Sequence, residues 1–275
     1  METAQVILLG IIQGLTEFLP VSSSGHLVLL QNLFGFSEPE LLLDISLHIG
    51  TLFAVCIVFF KEIRSILLTV LRIPGLIRSS EGISSLIAEN EQVKILVLII
   101  AGSIPTAILG LFFRKIADQI FGNVCIVGIM LLLTGTLLWF TRQAGLRNRN
   151  LKQVAIKDAL IIGLAQGIAI LPGISRSGST ISTALFLGVN REVAGRYSFL
   201  LSIPAILGAL IMGIDFSSVN ESISAEMILM GTVAAGIVGY LALRVLLQVV
   251  KRGQMHCFAP YCWLIGVAAV VWNKL

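Results

Sequence analysis

Two short stretches of this 275-residue sequence carry side chains that could hold or transfer a phosphate group. The first, QGLTEFLPVSSSGH, runs from Gln13 to His26 and places Glu17, three consecutive serines (22–24) and His26 within ten residues. Gln13 and Glu17 are four residues apart, so they share one face of a helix, and Pro20 favours a break after it. A carboxylate, hydroxyls and an imidazole can supply a base, a nucleophile and a metal ligand.

The second stretch, LPGISRSGST, runs from Leu171 to Thr180 and contains an isolated cation, Arg176. A guanidinium among hydroxyls and flexible backbone suits bidentate recognition of a phosphate. If a helix resumes near Ser179, its free amide groups and its dipole add to the attraction. The pattern therefore predicts an anion site around Arg176.

Both stretches also have structural interpretations. Glu17 could form an interhelical hydrogen bond while the serines satisfy freed backbone groups, and Arg176 could pair with Glu17 as a structural lock. An intramembrane carboxylate costs about 2.5–3.5 kcal/mol on insertion scales, so it needs a partner or a function. Taken together, the residues suffice for phosphoryl transfer. Arg176 would hold the phosphate, Ser23 or His26 would attack or relay a proton, and Glu17 would bind a divalent cation or act as a base.

The surrounding composition is that of a membrane protein. Hydrophobic residues make up 56% of the chain and charged residues 12%, and the mean hydropathy is +0.97, which excludes an ordinary soluble domain. Runs approaching 20 residues without alternation indicate helices that cross a hydrocarbon core of roughly 30 Å. We predict an all-α polytopic membrane protein with about six transmembrane helices, at 41–60, 93–112, 122–141, 196–214, 226–249 and 258–272.

Two further apolar segments, 6–33 and 155–188, are interrupted by Pro, Gly, Ser and charge, which predicts broken or re-entrant helical hairpins. They also resemble each other. Five residues of the first recur 153 positions later in the second. The predicted topology gives the two repeats opposite orientations in the membrane. A polar site could form where the hairpins meet. The pairs are Gln13 and Gln166, Gly14 and Gly167, Ser22 and Ser175, Ser24 and Ser177, and Gly25 and Gly178.

The net charge of +4 is spread over short loops, so no nucleic-acid partner is predicted. Most Lys and Arg lie within three ranges, 61–94, 142–157 and 191–252, and we expect these basic residues on the cytoplasmic side. Arg114, Lys115 and Lys274 would fall on the opposite side. Both termini would then lie outside. We predict one integral membrane domain over 1–275, with repeat half one at about 1–141, a basic cytoplasmic connection at about 142–154, and repeat half two at about 155–275.

Other polar residues carry weaker signals. The four cysteines have no metal-ligand spacing and are expected to pack in apolar surroundings. His48 and Asp44 share a helical face within an apolar stretch. They could line a cavity or simply form structural hydrogen bonds.

Over nearly its full length, the chain resembles the undecaprenyl-diphosphate phosphatases of the bacitracin-resistance family. Their first signature is Glu or Gln, three residues, Glu, then Pro-Val-Ser-Ser-(Ser/Thr)-Gly-His, which Gln13, Glu17 and residues 20–26 match. Their second is Pro-Gly-x-Ser-Arg-Ser-Gly-x-Thr, which residues 172–180 match. Where relatives carry Glu at the first signature position, this chain has Gln13, which puts a two-carboxylate metal site in doubt.

The resemblance implies hydrolysis of undecaprenyl diphosphate to the monophosphate, which recycles the carrier for peptidoglycan synthesis and confers bacitracin resistance. It also implies a need for Mg²⁺ or Ca²⁺ and a site facing the outer side of the cytoplasmic membrane. By matched position, the catalytic residues would be Glu17, Ser23, His26 and Arg176, with Glu17 also the metal ligand. Substrate-binding residues would be Gln13, Ser22, Ser24, Gly25, Ser175, Ser177, Gly178 and Thr180.

Two other classes of protein stay open. Inverted repeats with broken helices also describe transporters or flippases of anions and lipid phosphates, and a purely structural membrane subunit is the third class. The expected partners are a polyprenyl diphosphate substrate and membrane lipids. The sequence leaves open whether Ser23 or His26 is the nucleophile, which ion is used, the lipid chain length, and whether the protein forms a homodimer.

Overall fold

The chain is built almost entirely from α-helices. The computed structural model describes residues 2–35, 41–79, 82–114, 123–144, 148–213 and 224–272. Within these ranges there are twelve α-helices: α1 Thr3–Phe18, α2 Ser23–Leu33, α3 Leu41–Val58, α4 Phe60–Ser79, α5 Ile83–Glu89, α6 Glu91–Arg114, α7 Val124–Phe140, α8 Ile156–Ile168, α9 Arg176–Phe186, α10 Arg191–Gly213, α11 Ala225–Arg252 and α12 Ala259–Trp272.

Five regions of the described chain, which contain α6, α7, α10, α11 and α12, are long and apolar enough to cross a membrane. Their outward side chains are apolar and have few protein neighbours, as at Ile211 (76% exposed) and Leu264 (69% exposed). A soluble protein would rarely present such a surface to water, whereas lipid chains solvate it well. The predicted all-α polytopic membrane fold is confirmed.

The predicted span at 41–60 ends in a sharp bend that the sequence did not predict. Helices α3 and α4 pass the membrane-span test together, but they meet at an angle of 82°. Helix α4 is amphipathic: Leu67 and Val70 are exposed on its apolar side, and Lys61 and Arg72 lie on its polar side. This pattern is typical of a helix that lies along the membrane surface.

The two interrupted segments form helical hairpins, α1 with α2 and α8 with α9. Pro20 follows the end of α1 by two residues, and Pro172 and Gly173 occupy the turn between α8 and α9. Proline cannot donate the next helical hydrogen bond, and Gly173 has a φ of 95°, which favours glycine. The breaks therefore fall where the sequence predicted them.

The second helices of the hairpins begin in the same way. Both α2 and α9 contain 11 residues, and a serine caps each N-terminus. The Ser22 hydroxyl accepts from the Gly25 amide at 3.3 Å, and the Ser175 hydroxyl accepts from the Gly178 amide at 3.0 Å. Both pairs belong to the 153-residue repeat.

Glycines let each hairpin pack against a helix of the opposite half. Gly10 of α1 lies against the backbone of Gly231 in α11, and Gly163 of α8 lies against Gly102 in α6. A Cβ atom on Gly10 or Gly163 would collide with the facing carbonyl oxygen. Because Gly10 and Gly163 are 153 residues apart, the repeat recurs in the packing as well as in the sequence.

We expect Gly163→Ala to lower the apparent Tm of the purified protein in detergent. Overpacking of a tight contact typically costs about 1–3 kcal/mol. The matched control is Gly208→Ala in α10, where a new Cβ would have no neighbour within 4 Å. That control should keep or raise the Tm, because alanine is favoured over glycine within a helix by about 0.5–1 kcal/mol. Equal effects of the two variants would contradict the packing described.

The basic connection between the two halves is anchored beside α9. The Arg149 guanidinium donates to the carbonyl oxygens of Leu187 at 2.9 Å and Gln153 at 2.6 Å, and to the Asp158 carboxylate at 2.6 Å. These bonds fix the turn that follows α9. Part of the predicted charge pattern lies outside the described residues. It comprises Lys115, residues 145–147, Lys274 and the side chain of Arg114.

Candidate active site

The carboxylate and a hydroxyl of the first hairpin are in direct contact. Glu17 lies in the last turn of α1, and Ser23 is the first residue of α2. The Ser23 hydroxyl donates to Glu17 Oε2 at 2.5 Å, and the Gln13 amide donates to the same oxygen at 3.0 Å. Gln13 is fully buried and Glu17 is only 6% exposed. A carboxylate placed in this way can accept the serine proton during nucleophilic attack.

The guanidinium of the second hairpin reaches the same carboxylate. Arg176, the first residue of α9, forms an ion pair with Glu17 Oε1 across 159 residues of sequence. Its side chain is 18% exposed, and its Nη1 atom is buried with no hydrogen-bond partner among the described residues. Because a guanidinium can bind two acceptors side by side, Arg176 keeps the capacity to bind a phosphate oxygen. The predicted meeting of the two hairpins is therefore present.

The hydroxyls that surround Arg176 hold its helix in place. The Ser175 hydroxyl caps α9, and the Ser177 hydroxyl donates at 2.9 Å to the carbonyl oxygen of Phe18, at the end of α1. The Thr180 hydroxyl donates to the Arg176 carbonyl oxygen at 2.8 Å. These contacts position Arg176 against the first hairpin. Direct substrate binding by Ser175, Ser177 and Thr180 stays a prediction.

Ser22 joins the turns of the two hairpins. Its hydroxyl accepts from the Gly173 amide at 3.1 Å and lies 3.4 Å from the Ser24 hydroxyl. A Cβ atom on Gly25 would approach the Gly173 Cα to 3.0 Å, so the two backbones are closely packed. From α7, the Thr134 hydroxyl donates to the Gly173 carbonyl oxygen at 2.9 Å. Ser22, Ser24 and Gly25 thus lie at the junction that holds the two reactive groups together.

His26 faces a different partner from the one expected. Its Nδ1 lies 2.8 Å from the Ser22 carbonyl oxygen, and its Nε2 lies 2.7 Å from the Tyr261 hydroxyl of α12. Because a carbonyl can only accept, the neutral ring donates through Nδ1 and accepts from Tyr261 through Nε2. Both ring nitrogens are therefore occupied. Arg176 and Ser23 are not among the hydrogen-bond partners found for His26 in the described part of the chain.

His48 is a further polar group at the site. Its Nε2 lies 3.7 Å from Glu17 Oε2, and its Nδ1 lies 2.7 Å from the Asp44 carbonyl oxygen. The His48 side chain is 31% exposed, compared with 4% for that of Glu17. His48 therefore lies on the more accessible side of the carboxylate, and its contact with Asp44 is the structural hydrogen bond that the sequence allowed. Its lining of a cavity stays a prediction.

The described residues do not form a ready-made metal cage. No group of three His, Cys, Asp or Glu side chains converges among them. The site offers the Glu17 carboxylate and Gln13 Oε1, a buried oxygen with no partner in the described structure. Carboxylate and amide oxygens are ligands of Mg²⁺ and Ca²⁺, and Mg²⁺ often takes one or two carboxylates and completes its shell with substrate phosphates. These residues fit a cation that shares its coordination with a diphosphate.

The fold and the site define a class: a polytopic helical membrane protein in which two broken hairpins join a serine–carboxylate pair to an arginine. The family model described as "Bacitracin resistance protein BacA" matches residues 6–268, and the chain belongs to that family. The resemblance drawn from the two signatures is therefore confirmed.

Individual relatives match along almost their whole length. A protein of Desulfatibacillum aliphaticivorans named undecaprenyl-diphosphatase is 50% identical over 276 residues, 99% of each chain. Proteins of the same name from Desulforapulum autotrophicum and Methanosphaera stadtmanae are 48% and 41% identical, each over 98% of both chains.

Sequence reasoning missed Tyr261 and Thr134. Both lie in uninterrupted apolar helices, 235 residues from His26 and 39 residues from Gly173 respectively, and neither belongs to a motif or to the repeat. A tyrosine near the start of a membrane helix is usual at the lipid–water interface, so its type alone gave no signal. Only the packing of α7 and α12 brings these two residues to the hairpins.

Proposed function

We propose that this protein removes the terminal phosphate of undecaprenyl diphosphate by nucleophilic attack of Ser23. The products are undecaprenyl phosphate and inorganic phosphate, so the lipid carrier is recycled for peptidoglycan synthesis and the cell resists bacitracin. The names of the relatives and the family support the reaction. The observation that carries the mechanism is the contact of Ser23 with Glu17, whose carboxylate is also paired with Arg176.

Substrate binding begins with an exchange of partners at Arg176. Before substrate binds, Glu17 occupies one side of the guanidinium, and Nη1 has no partner within the described part of the chain. A terminal phosphate carries more charge and more acceptor oxygens than a carboxylate, so it competes for the guanidinium and takes both nitrogens. Release from Arg176 frees Glu17 Oε1, while Oε2 keeps its hydrogen bond to Ser23. The carboxylate is then placed to act as the base that activates Ser23.

The first chemical step transfers the terminal phosphoryl group to the enzyme. Ser23 Oγ forms a bond to the terminal phosphorus while the bond from that phosphorus to the bridging oxygen breaks. The Ser23 proton passes to Glu17 across the existing 2.5 Å hydrogen bond. Undecaprenyl phosphate leaves, and Arg176 stabilises the charge on the transferring group.

The second step releases phosphate by the reverse use of the same groups. Water attacks the phosphoserine phosphorus, the bond to Ser23 Oγ breaks, and Glu17 returns its proton to that oxygen. Dihydrogen phosphate leaves, and the serine and carboxylate regain their starting states. Atoms and charge balance without any further reactant.

We infer that a divalent cation, Mg²⁺ or Ca²⁺, accompanies the diphosphate. It would neutralise phosphate charge, with Glu17 and Gln13 Oε1 as its protein ligands. We therefore expect chelation to stop hydrolysis. In the absence of substrate, titration calorimetry should detect no tight binding of Mg²⁺ to the wild-type protein.

Gln13→Glu tests this inference directly. A second carboxylate beside Glu17 should create a site that binds Mg²⁺ without substrate, because two adjacent carboxylates repel each other unless a cation or proton lies between them. We expect the Tm of this variant to rise with Mg²⁺ while that of the wild type does not. An identical response of the two proteins would contradict the assigned role of Gln13.

Tyr261→Phe tests the positioning of His26. Loss of the hydroxyl leaves His26 Nε2 without its donor, so the ring and its tautomer are held less firmly. A buried acceptor left without its donor costs about 1–3 kcal/mol, so we expect kcat to fall about 10- to 100-fold with little change in KM. The control is Tyr240→Phe, since the Tyr240 hydroxyl accepts from Arg244 at an exposed position. Full activity of Tyr261→Phe would contradict a positioning role for the contact between Tyr261 and His26.

The location and the assembly are also proposed. The chain is a multi-pass membrane protein, and we place it in the bacterial cytoplasmic membrane with the site open to the outer side. Cysteine-accessibility labelling of intact cells at exposed loop positions tests that orientation. A homodimer stays a prediction, which mass photometry in nanodiscs can test.

Assay of the purified protein separates hydrolysis from transport. Release of phosphate from undecaprenyl diphosphate in detergent, where no sealed compartment exists, supports an enzyme. Movement of labelled lipid across sealed liposomes without release of phosphate would instead favour a flippase. Inactivity in both assays would leave a structural membrane protein.

A further inference from the structure

An apolar groove lies on the membrane-facing surface between α7, α8 and α9. Its volume is about 280 Å³. The lining residues are mostly apolar, the remainder being hydroxyl-bearing, and none is charged; they are Leu133, Thr134, Leu137, Ala165, Ile168, Ile174, Ser179 and Thr183. On its rim, Leu133 is 54% exposed and Ile168 is 43% exposed, so the groove is open towards lipid. It therefore suits a hydrocarbon chain rather than a headgroup.

The groove begins beside the phosphate-binding arginine. Ile174 and Ser179, which line it, flank Arg176 in the sequence, and Ser179 is one helical turn further along α9. Arg176, Ser179 and Thr183 are spaced i, i+3 and i+7, so they lie on one stripe of the helix. A ligand whose phosphate binds Arg176 can therefore extend its chain along that stripe into the groove.

The two hairpins differ at the corresponding position of their second helices. The repeat partner of Ser179 is His26, 153 residues earlier. There Tyr261 lies against the His26 ring, with the ring centroids 5.7 Å apart. An aromatic side chain thus contacts His26 in the first half, whereas Ser179 lines the groove in the second half. This difference distinguishes the second hairpin from the first.

We propose that this groove binds the polyprenyl chain of the substrate next to its diphosphate. The inference rests on the proposed function and adds a site for the lipid. With about 280 Å³, the groove is smaller than pockets for drug-sized ligands, roughly 300–1,000 Å³. It holds only the first isoprene groups, and the rest of the chain stays in the bilayer.

Photolabelling locates the chain without requiring turnover. The probe is farnesyl diphosphate with a diazirine on its second isoprene group, added to the Ser23→Ala variant in nanodiscs. We expect labelled peptides from α7 and α8, at Leu137 and Ile168, and loss of label when undecaprenyl diphosphate competes. Labelling on another face, or equal competition by phosphatidylglycerol, would overturn the proposal. The second outcome would mean that the groove holds ordinary phospholipid chains.

Filling the groove provides a second test. Ala165→Phe places a ring in the groove, and we expect loss of the photolabel and a KM for undecaprenyl diphosphate raised about tenfold. Thr183→Leu serves the same purpose if Ala165→Phe does not fold. The control is Ala209→Phe, at an exposed position on α10 outside the groove, which should keep both label and KM.

These outcomes separate the two proposals. If Ala165→Phe still hydrolyses the substrate and both the photolabel and KM are unchanged, the lipid site alone is overturned. A wild-type protein that is labelled in the groove but releases no phosphate overturns the proposed reaction alone.

Discussion

Arg176→Ala lowers kcat/KM for undecaprenyl diphosphate by about 10³- to 10⁵-fold, the range of effects found for arginines that stabilise phosphoryl transfer. The expected loss is large because Arg176 is the cation paired with Glu17 and holds the phosphate in this mechanism. Arg176→Lys keeps the charge but loses the planar pair of donors, so its activity should lie between those of wild type and Arg176→Ala. Steady-state release of phosphate in detergent measures both.

Two further variants separate a loss of catalysis from a loss of folding. Removal of Arg176 leaves Glu17 as an unpaired buried carboxylate, which can destabilise the fold by about 3–5 kcal/mol. The double variant Arg176→Ala with Glu17→Gln removes that charge, so its Tm should return towards that of wild type if the unpaired carboxylate is what destabilises Arg176→Ala. Arg196→Ala breaks a more exposed pair with Glu91 and should keep activity, since such pairs contribute about 0–1 kcal/mol. Activity of folded Arg176→Ala within tenfold of wild type would refute the assigned role.

Ser23→Ala and Glu17→Gln should each lower kcat by about 10⁴- to 10⁶-fold, and the double variant should be scarcely worse than either. This non-additivity follows from the 2.5 Å hydrogen bond, because Glu17 acts only by taking the proton of Ser23, so losing either residue removes the same step. Two losses that multiply would instead indicate that the residues act independently.

A half-buried serine outside the two hairpins gives the matched control. The Ser103 hydroxyl donates to the Ile99 carbonyl oxygen at 2.8 Å within α6, away from the site. Ser103→Ala should therefore keep kcat close to that of wild type. Circular dichroism and size-exclusion chromatography confirm that each variant is folded before its activity is compared.

Local patterns made the first hairpin predictable. The four-residue spacing put Gln13 and Glu17 on one helical face, and Pro20 marked the break, so the chain itself places Ser23 near Glu17. The contact between Glu17 and Arg176 spans 159 residues, yet it was still predictable, because the repeat implied that the two hairpins meet. Repetition supplied the long-range information that spacing alone lacks.

The residues that escaped prediction depend on packing between different helices. Nothing in the sequence around Tyr261 distinguishes it from an interfacial tyrosine, and its contact with His26 arises only where α12 passes α2. For the same reason, the sequence could not show that both His26 nitrogens are occupied. The bend between α3 and α4 was missed because charges that flank a span fit a loop as well as a helix on the membrane surface.

The choice between Ser23 and His26, which the sequence left open, now has a physical basis. Ser23 touches the carboxylate that can take its proton, whereas the His26 nitrogens are bonded to Ser22 and Tyr261. His26 is therefore proposed to support the turn that carries Ser23. The groove beside Arg176 would then set where the lipid lies relative to that serine.

Trapping the phosphorylated protein tests the central claim most directly. Undecaprenyl diphosphate labelled on its terminal phosphate is mixed with the purified enzyme, the reaction is stopped within one turnover, and the labelled peptide is identified by mass spectrometry under conditions that preserve both phosphoserine and phosphohistidine. The mechanism predicts phosphate on Ser23 and none in Ser23→Ala. Phosphate on His26, or wild-type rates of hydrolysis by Ser23→Ala, would contradict it.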